Sequence, residues 1–343
     1  METINKQVSQ NRRRTWFVMA AFVVVVAIIG FLIGCIFASR EETFDMQVAL
    51  YTMAGFLTAA AIYAVITYMG VTNILMRGSG ATKLQESDDP QLFNIISDLA
   101  MAANVPMPDV YMINEEAPNA FATGRDPKHA AVAVTVGLRK MMNREELEGV
   151  IAHEISHIKN YDIRVSSITV ALTSFIAGAG TFLIIAGIGL MRNASWMSFA
   201  DDRDSDSKGS WAFVMGMVAF GAIIWLGGWL VRIIGVPVAQ VLQFAVSRER
   251  ESLADVSGVN LTRDPQGLID ALTVLKNDSQ PMKHANASSA ALYINEPKNK
   301  SGKTPFVLKM FDTHPPLDER IDRLKKLMGD YSGSDDQNND LNQ

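Results

Sequence analysis

Residues 143–160 read NREELEGVIAHEISHIKN, and this stretch sets the interpretation of the whole chain. It begins as a capping box, with Asn143 as the helix N-cap and Glu146 three positions later. Apolar residues then recur at helical spacing up to Ile158, which predicts a helix that closes near Asn160. The stretch therefore predicts one well-defined helix with two histidines and a glutamate built into its apolar run.

The middle of this helix carries His153, Glu154 and His157. Residues four apart share a helix face, so both imidazoles can reach one metal ion. Glu154 lies one position around the helix, close enough to take a proton from a water that zinc has acidified, but not placed as a third ligand. The spacing predicts a zinc hydrolase with one Zn²⁺ per chain, and the alternative is a chance match at a helix end.

Outward from this helix, four long stretches contain no charged residue. They are 23, 31, 27 and 21 residues long, and each exceeds the ~18–20 apolar residues that cross a bilayer as a helix. The stretches are Trp16–Ala38, Met46–Met76, Val165–Met191 and Trp211–Val231. The sequence therefore predicts a multi-pass protein embedded in the lipid bilayer, and the other 241 residues suffice for a globular domain with its own core.

The composition excludes several classes of protein. Cys35 is the only cysteine among 343 residues, which rules out a disulfide framework and a cysteine-based zinc site. A net charge of −5 and the lack of a long basic run argue against nucleic acid as a partner. Residues 32–35 (LIGC) match a lipoprotein cleavage box, but their apolar stretch is longer than a cleavable signal core, so we interpret it as an uncleaved anchor. A lipidated Cys35 is the alternative.

Lysine and arginine residues near the ends of the apolar stretches are unevenly distributed. With the N-terminus in the cytoplasm, eleven of them flank the inner ends and four lie in the outer loops, Ser39–Asp45 and Arg192–Ser210. Because positive residues are retained on the cytoplasmic side, this bias predicts that both termini and the active site are cytoplasmic.

The polar segments around the paired histidines predict a small sheet and further helices. Asp89-Pro90 is typical of a helix start, and three segments have the β-branched or alternating pattern of strands: Asp109–Ile113, Asn119–Thr123 and Ala130–Val136. The predicted fold class is α+β and mainly helical, a multi-pass membrane protein with a zincin-like metalloprotease domain made of an active-site helix and a small sheet.

The chain divides into five expected regions. Residues 1–76 carry two transmembrane helices, 77–164 the sheet and the active-site helix, and 165–236 a transmembrane hairpin, whose glycines 178, 180, 187 and 189 predict close helix packing. Residues 237–329 complete the metalloprotease domain with the third zinc ligand and the C-terminal helices. Residues 330–343 are rich in Asp, Asn, Gln and Ser, which predicts a disordered tail.

A catalytic zinc site needs a third protein ligand, and one candidate follows the fourth apolar stretch. In residues 247–255, SRERESLAD, Glu251 and Asp255 stand four apart on one helix face. Glu251 is suited to bind zinc, and Asp255 to accept the second ring N–H of a ligand histidine. On spacing alone a solvated, mixed-charge helix beside the membrane is the favoured interpretation, and the interpretation as a zinc ligand stays open beside it.

Taken in order, these motifs resemble the HtpX-type integral-membrane zinc metalloproteases, whose relatives include the eukaryotic CaaX prenyl-protein proteases. The resemblance extends over nearly the whole chain. Its specific parts are residues 119–124 (NAFATG), 153–157 (HEISH), 250–255 (RESLAD), 313–316 (THPP) and 319–321 (ERI).

The resemblance implies zinc on His153, His157 and Glu251, with Glu154 as general base and Asp255 behind a ligand histidine. It also implies that His314 stabilises the charge on the substrate oxygen, whereas its local sequence fits a turn residue before two prolines.

Two further roles follow from the same resemblance. Arg320 is expected to order the region through a carboxylate. Asn119 and Ala120 resemble an edge strand that binds an extended substrate by β-addition, and the alternative is an ordinary sheet edge.

The sequence thus predicts a zinc metalloendopeptidase at the cytoplasmic face of a bacterial inner membrane. By analogy with the family alone, it acts in a stress response on misfolded or damaged membrane proteins or peptides. The alternatives are a maturation protease for one lipidated or pheromone-like peptide, a non-catalytic scaffold with structural zinc, and a transporter. The intact Glu154 weighs against the scaffold, and the charge-free spans weigh against the transporter.

Overall fold

A computed structural model describes residues 2–40, 43–200, 208–235, 248–278, 280, 282, 292–294 and 315–339. Within these residues the chain is mainly helical, with a four-stranded and a two-stranded sheet, which confirms the α+β prediction. Contacts divide the chain into two compact units. The first comprises Met1–Trp16, Thr67–Ala171 and Gln243–Gln343, and the second comprises Phe17–Ile66 and Leu172–Leu242.

The helices follow the apolar and capping signals of the sequence. Their bounds are α1 (Glu2–Ala38), α2 (Met46–Gly78), α3 (Pro90–Ala103), α4 (Val136–Met141), α5 (Arg144–Lys159), α6 (Asp162–Ala200), α7 (Lys208–Leu230), α8 (Arg248–Thr262), α9 (Pro265–Asn277) and α10 (Leu317–Asn339). Asp89 caps α3 by accepting a hydrogen bond from the Leu92 backbone N–H, with Pro90 at the first helical position, as predicted. A two-stranded ribbon of β1 (Ser39–Arg40) and β2 (Thr43–Phe44) lies between α1 and α2.

The larger sheet belongs to the first unit. Its strands are β3 (Ala81–Lys83), β4 (Asp109–Ile113), β5 (Ala120–Gly124) and β6 (Ala130–Thr135), in the order β3-β4-β6-β5. The central pair, β4 and β6, is parallel, and the two outer strands run antiparallel to their neighbours. The three predicted strands are confirmed to within one residue, while β3 was not anticipated from the sequence. The topology leaves β5 at one edge of the sheet.

Four helices are long and apolar enough to cross a membrane within the described residues. The candidate spans are Thr15–Cys35, Met46–Gly78, Asp162–Ala194 and Val214–Ile233. Large apolar side chains on them, such as Trp16, Met69 and Phe182, are exposed. Exposure of so much apolar surface is unfavourable in water and favourable in lipid, which supports the four predicted spans.

Glycines bring α6 and α7 close together in the second unit. A Cβ at Gly187 would lie 2.6 Å from the backbone oxygen of Gly221, and one at Gly180 would lie 3.3 Å from that of Gly228. At Gly178 and Gly189 a Cβ would meet nothing within 4 Å. Two of the four glycines of the predicted stripe therefore serve close packing of this hairpin.

The helix α5, which carries the paired histidines, is central to the first unit. Its capping box is formed: the Asn143 side chain accepts from the Glu146 N–H at 2.9 Å, and the Glu146 carboxylate accepts from the Asn143 N–H at 2.9 Å. The helix packs against α3, α8, α9 and β5 in one buried core. A Cβ at Gly149 would lie 2.7 Å from the Leu268 backbone nitrogen, so this glycine permits the close approach of α9.

The last helix differs from the sequence prediction. The backbone of α10 is helical to Asn339, whereas disorder was predicted from residue 330 onward. Ile321 and Leu324 anchor the start of the helix in the core, and once a helix is nucleated each further residue extends it with one more hydrogen bond. The prediction from low apolar content alone therefore ended the ordered part of this helix too early.

Candidate active site

Three side chains from two helices of the first unit converge on one point. They are His153 and His157 on α5 and Glu251 on α8, and their ligand atoms all lie within 4.8 Å of one another. The two Nε2 atoms are 3.2 Å apart, and each lies 3.5 Å from an oxygen of Glu251. His153 and Glu251 are almost fully buried.

This cluster has the dimensions of a zinc site. A tetrahedral zinc ion with bonds of ~2.0–2.2 Å holds its ligand atoms ~3.3–3.6 Å apart. The two histidine–glutamate separations of 3.5 Å, one to each oxygen of Glu251, fall in that range, and the histidine–histidine separation of 3.2 Å is just below it. Two imidazoles and one carboxylate are also a donor set that zinc accepts. The residues therefore fit the metal that the sequence predicts.

A carboxylate contacts the other ring nitrogen of each histidine. His153 Nδ1 lies 3.0 Å from Asp255 Oδ1, and His157 Nδ1 lies 3.1 Å from Asp162 Oδ2. A carboxylate oxygen can only accept a hydrogen bond, so each Nδ1 must donate one, and the hydrogen-bond network assigns the ring proton of each neutral imidazole to Nδ1. Both Nε2 lone pairs then face the centre of the cluster, as metal binding requires.

Asp255 is held by a fully buried arginine. The Arg320 guanidinium donates two hydrogen bonds to its carboxylate, of 3.0 and 2.6 Å. Burial opposes ionisation of Asp255, but Arg320 and His153 outweigh it and hold the pKa of this carboxyl at about 2. Asp255 therefore stays an anion at every working pH and keeps the His153 ring oriented.

The electrostatics of His153 reflect the same neighbours. Burial and Arg320 disfavour its charged form, whereas hydrogen bonds to Asp255 and Glu251 favour it and raise its pKa to about 9. A metal ion must displace this proton, because only the neutral ring is a ligand. Metal uptake at this cluster is thus coupled to proton release.

Glu154 is turned toward the sheet. Its Oε2 accepts a hydrogen bond of 2.7 Å from the backbone N–H of Ala122 on β5, and the side chain is buried. The carboxylate lines the same cavity as His153, His157 and Glu251. Glu154 is therefore fixed beside the cluster without being part of it, which suits a base that accepts a proton from water.

The other predicted residues fall in several places. Asn119 directly precedes β5 and Ala120 begins it, so both stand at the edge of the sheet as expected. Arg320 contacts a carboxylate, as expected. His314 lies outside the described residues, and so does the side chain of Glu249.

Sequence reasoning missed Asp162 and Arg250. Asp162 contacts His157, and the Arg250 guanidinium lies 3.7 Å from the other oxygen of Asp162. Asp162 stands only five residues after His157, but a helix continued through it would point it away from that histidine. A turn at Tyr161, whose φ is +61°, brings it back, and a tyrosine gives no sign of that conformation in the sequence.

Comparison with known protein families shows which family has these motifs. The family model described as Peptidase family M48 matches residues 86–328, which is well over half of the chain. The chain belongs to peptidase family M48. As a member of it, the protein is a multi-pass membrane metalloprotease that hydrolyses peptide bonds.

Individual relatives of this M48 peptidase are similar over almost their full length. "Protease HtpX homolog" of Limosilactobacillus reuteri (strain DSM 20016) is 46% identical over 332 residues, which is 94% of this chain and 99% of that protein. "Protease HtpX homolog" of Streptococcus gordonii is 42% identical, with the same two coverages. These findings confirm the resemblance drawn from the motifs. A crystal structure of S. mikatae Ste24p aligns at 20% identity with a TM-score of 0.43, over 90% of this chain and 66% of that one.

Proposed function

We propose that this M48 peptidase is a zinc-dependent endopeptidase with one Zn²⁺ per chain, held by His153, His157 and Glu251. The observation that carries the proposal is the spacing of these three side chains, with each histidine Nε2 atom 3.5 Å from an oxygen of Glu251 and the two Nε2 atoms 3.2 Å apart. Asp255 and Asp162 orient the two rings through Nδ1.

The chain's own residues supply the proton chemistry. Zinc bound here would polarise the substrate carbonyl and lower the pKa of a water toward ~7. Glu154 takes the proton of the attacking water and passes it to the leaving amine when the peptide bond breaks. The Ala122 N–H holds Oε2 of this carboxylate in place, which leaves Oε1 to carry the proton. His314 is proposed to stabilise the negative charge that develops on the carbonyl oxygen.

Substrates are proposed to bind as extended peptides along the edge of the sheet, beside Asn119 and Ala120. Two features support this. β5 is an edge strand, and Ala122 of the same strand is hydrogen-bonded to Glu154, so a peptide beside β5 also lies beside the base.

The biological role we propose is quality control of misfolded or damaged membrane proteins at the cytoplasmic face of a bacterial inner membrane. The Lys/Arg bias supports that orientation, and relatives named HtpX homologues support a bacterial membrane protease. Substrate trapping tests the role. Glu154→Gln protein, cross-linked in native membranes, should capture many unrelated membrane proteins, whereas capture of one dominant peptide would identify a dedicated maturation protease instead.

The proposed orientation predicts the outcome of reporter fusions. Fusions after residue 100 and at the C-terminus should both report the cytoplasm, and a fusion at Asp202 should report the outside, because the positive residues flank the inner ends of the spans. Phosphatase and fluorescent-protein reporters read the two sides. A cytoplasmic Asp202 would show that α6 and α7 form a re-entrant hairpin.

The proposed role of His314 predicts a specific kinetic change. His314→Ala should lower kcat by ~10²–10³ with KM and zinc content nearly unchanged, because a group that contacts only developing charge contributes little to substrate or metal binding. Steady-state kinetics and metal analysis of the purified variant measure the three quantities. Loss of zinc together with activity would make His314 a ligand or a structural residue.

A further inference from the structure

The outward edge of β5 already has hydrogen-bond partners within the chain. The backbone N–H of Thr135 donates to the carbonyl oxygen of Asn119, so the backbone of Asn119 points toward β6. Because backbone groups alternate in direction along a strand, the N–H and C=O groups of Ala120, Ala122 and Gly124 point away from β6. The Ala122 N–H donates to Glu154, and the Gly124 N–H donates to Ser167 Oγ at 3.1 Å.

Ala120 is the outward position that another backbone segment reaches. Its carbonyl oxygen accepts a hydrogen bond of 3.1 Å from the backbone N–H of Ile294. This is the kind of bond by which an added strand binds a sheet edge. The segment Leu292–Ile294 therefore makes, from within the chain, a contact of the type proposed for substrate.

The side chains of Leu292–Ile294 hold the segment at this position. The Tyr293 ring is buried and packs edge-on against Phe121 on β5, with ring centres 5.1 Å apart. Leu292 and Ile294, on either side of it, line the cavity that contains Glu154 and the metal-binding cluster.

The cavity that remains is too small for a peptide. The space within it that the centre of a water molecule can reach is about 30 Å³, which holds a few water molecules but not a peptide segment. A substrate that pairs with Ala120 and presents a carbonyl to Glu154 must occupy the space of Leu292 and Ile294. Segment and substrate therefore cannot be in place together.

We propose that Leu292–Ile294 acts as a built-in pseudosubstrate. In the absence of substrate it fills the space beside β5 next to the cavity, and it leaves when an extended peptide donates a hydrogen bond to the Ala120 carbonyl in its place. The inference rests on the proposed function. The exchange conserves hydrogen bonds, because a substrate N–H replaces that of Ile294. It also specifies the substrate class: extended peptides with large apolar residues at alternate positions, as in Leu292 and Ile294.

Two substitutions release the segment in different ways. Ile294→Pro lacks the N–H that Ala120 accepts, and Tyr293→Ala removes the buried ring while keeping that N–H. In Ile294→Pro the KM for a short apolar peptide should fall about two- to tenfold, the range expected for losing one competing hydrogen bond. In Tyr293→Ala it should fall at least as far, because the packing of a buried ring is lost, and zinc content should be unchanged in both variants. Leu99→Ala, which also removes a buried apolar side chain from the core but far along α3, should leave KM unchanged.

A binding measurement on full-length Glu154→Gln protein provides a readout independent of turnover. A labelled peptide of the sequence ALYIN, taken from residues 291–295, should bind more tightly once Ile294→Pro is added. The same peptide with Asp in place of Leu and Ile should bind at least about tenfold more weakly, because an apolar lining does not accept charge.

The outcomes separate this inference from the proposed function. A KM that is raised or unchanged in both Ile294→Pro and Tyr293→Ala would show that the segment is a fixed part of the cavity lining. That result would overturn the inference but not the proposed peptidase function. Zinc-loaded protein that neither cleaves nor binds any peptide would overturn both proposals together.

Discussion

Glu154→Gln should abolish peptide cleavage while the protein keeps its zinc. The glutamine can still accept the Ala122 N–H through its amide oxygen, so the side chain keeps its place, but it cannot take a proton from water. General-base catalysis contributes ~10²–10⁴ in rate, and cleavage should fall by that factor or more. Casein cleavage and metal content of the purified variant measure the two quantities.

Glu145→Gln is the matched control for this experiment. It removes a carboxylate from the exposed first turn of the same helix, far from the cavity, and activity should be retained. If Glu154→Gln cleaved casein at the wild-type rate, another group would have to be the base, and the mechanism assigned here would be wrong.

The second large effect concerns the choice between two glutamates on α8. Glu251→Ala should lose zinc and activity, whereas Glu249→Ala should keep both. Positions two apart on a helix differ by ~200°, so the two residues point in nearly opposite directions. Glu251 approaches both histidines at 3.5 Å and shares its face with Asp255, four residues later.

Asp255→Asn should lie between these extremes. An asparagine oxygen can still accept a hydrogen bond from the His153 ring N–H, but the buried Arg320 is left without its anion, and zinc affinity should weaken by ~10–100-fold. Zinc competition titrations on the three variants, with thermal unfolding to confirm that each folds, give the order. A zinc-loaded Glu251→Ala beside a zinc-free Glu249→Ala would reverse the assignment of the ligand.

Much of the fold was predictable because its signals are local. The charge-free stretches, the Asp89-Pro90 start and the Asn143 capping box each depend on neighbouring residues, and each matches an observed element. The three-residue strand β3 was not predictable, because it is defined by pairing with β4, 28 or more residues away in the chain. The strand order, which places β5 at an edge of the sheet, likewise depends on long-range pairing.

The residues of the site likewise differ in whether local sequence or long-range packing determines their position. Spacing alone brought His153, Glu154 and His157 together, since a single helix fixes their relative positions. Glu251 could be proposed only because it shares a helix face with Asp255, and its position beside α5 depends on the packing of α8 against α5. Asp162 depends on one backbone turn at Tyr161, and Leu292–Ile294 on a contact between residues 174 apart, so neither carried a signal in the sequence.

The order of the ligands along the chain has a consequence for synthesis. His157 and Glu251 are separated by 94 residues, which include the two candidate spans of α6 and α7. At ~5–20 residues per second, a ribosome needs roughly 5–20 s to travel that distance. For that interval the nascent chain holds two of the proposed metal ligands and the proposed base but not the third proposed ligand. The proposed metal site can therefore be completed only after the whole hairpin of α6 and α7 has been synthesised.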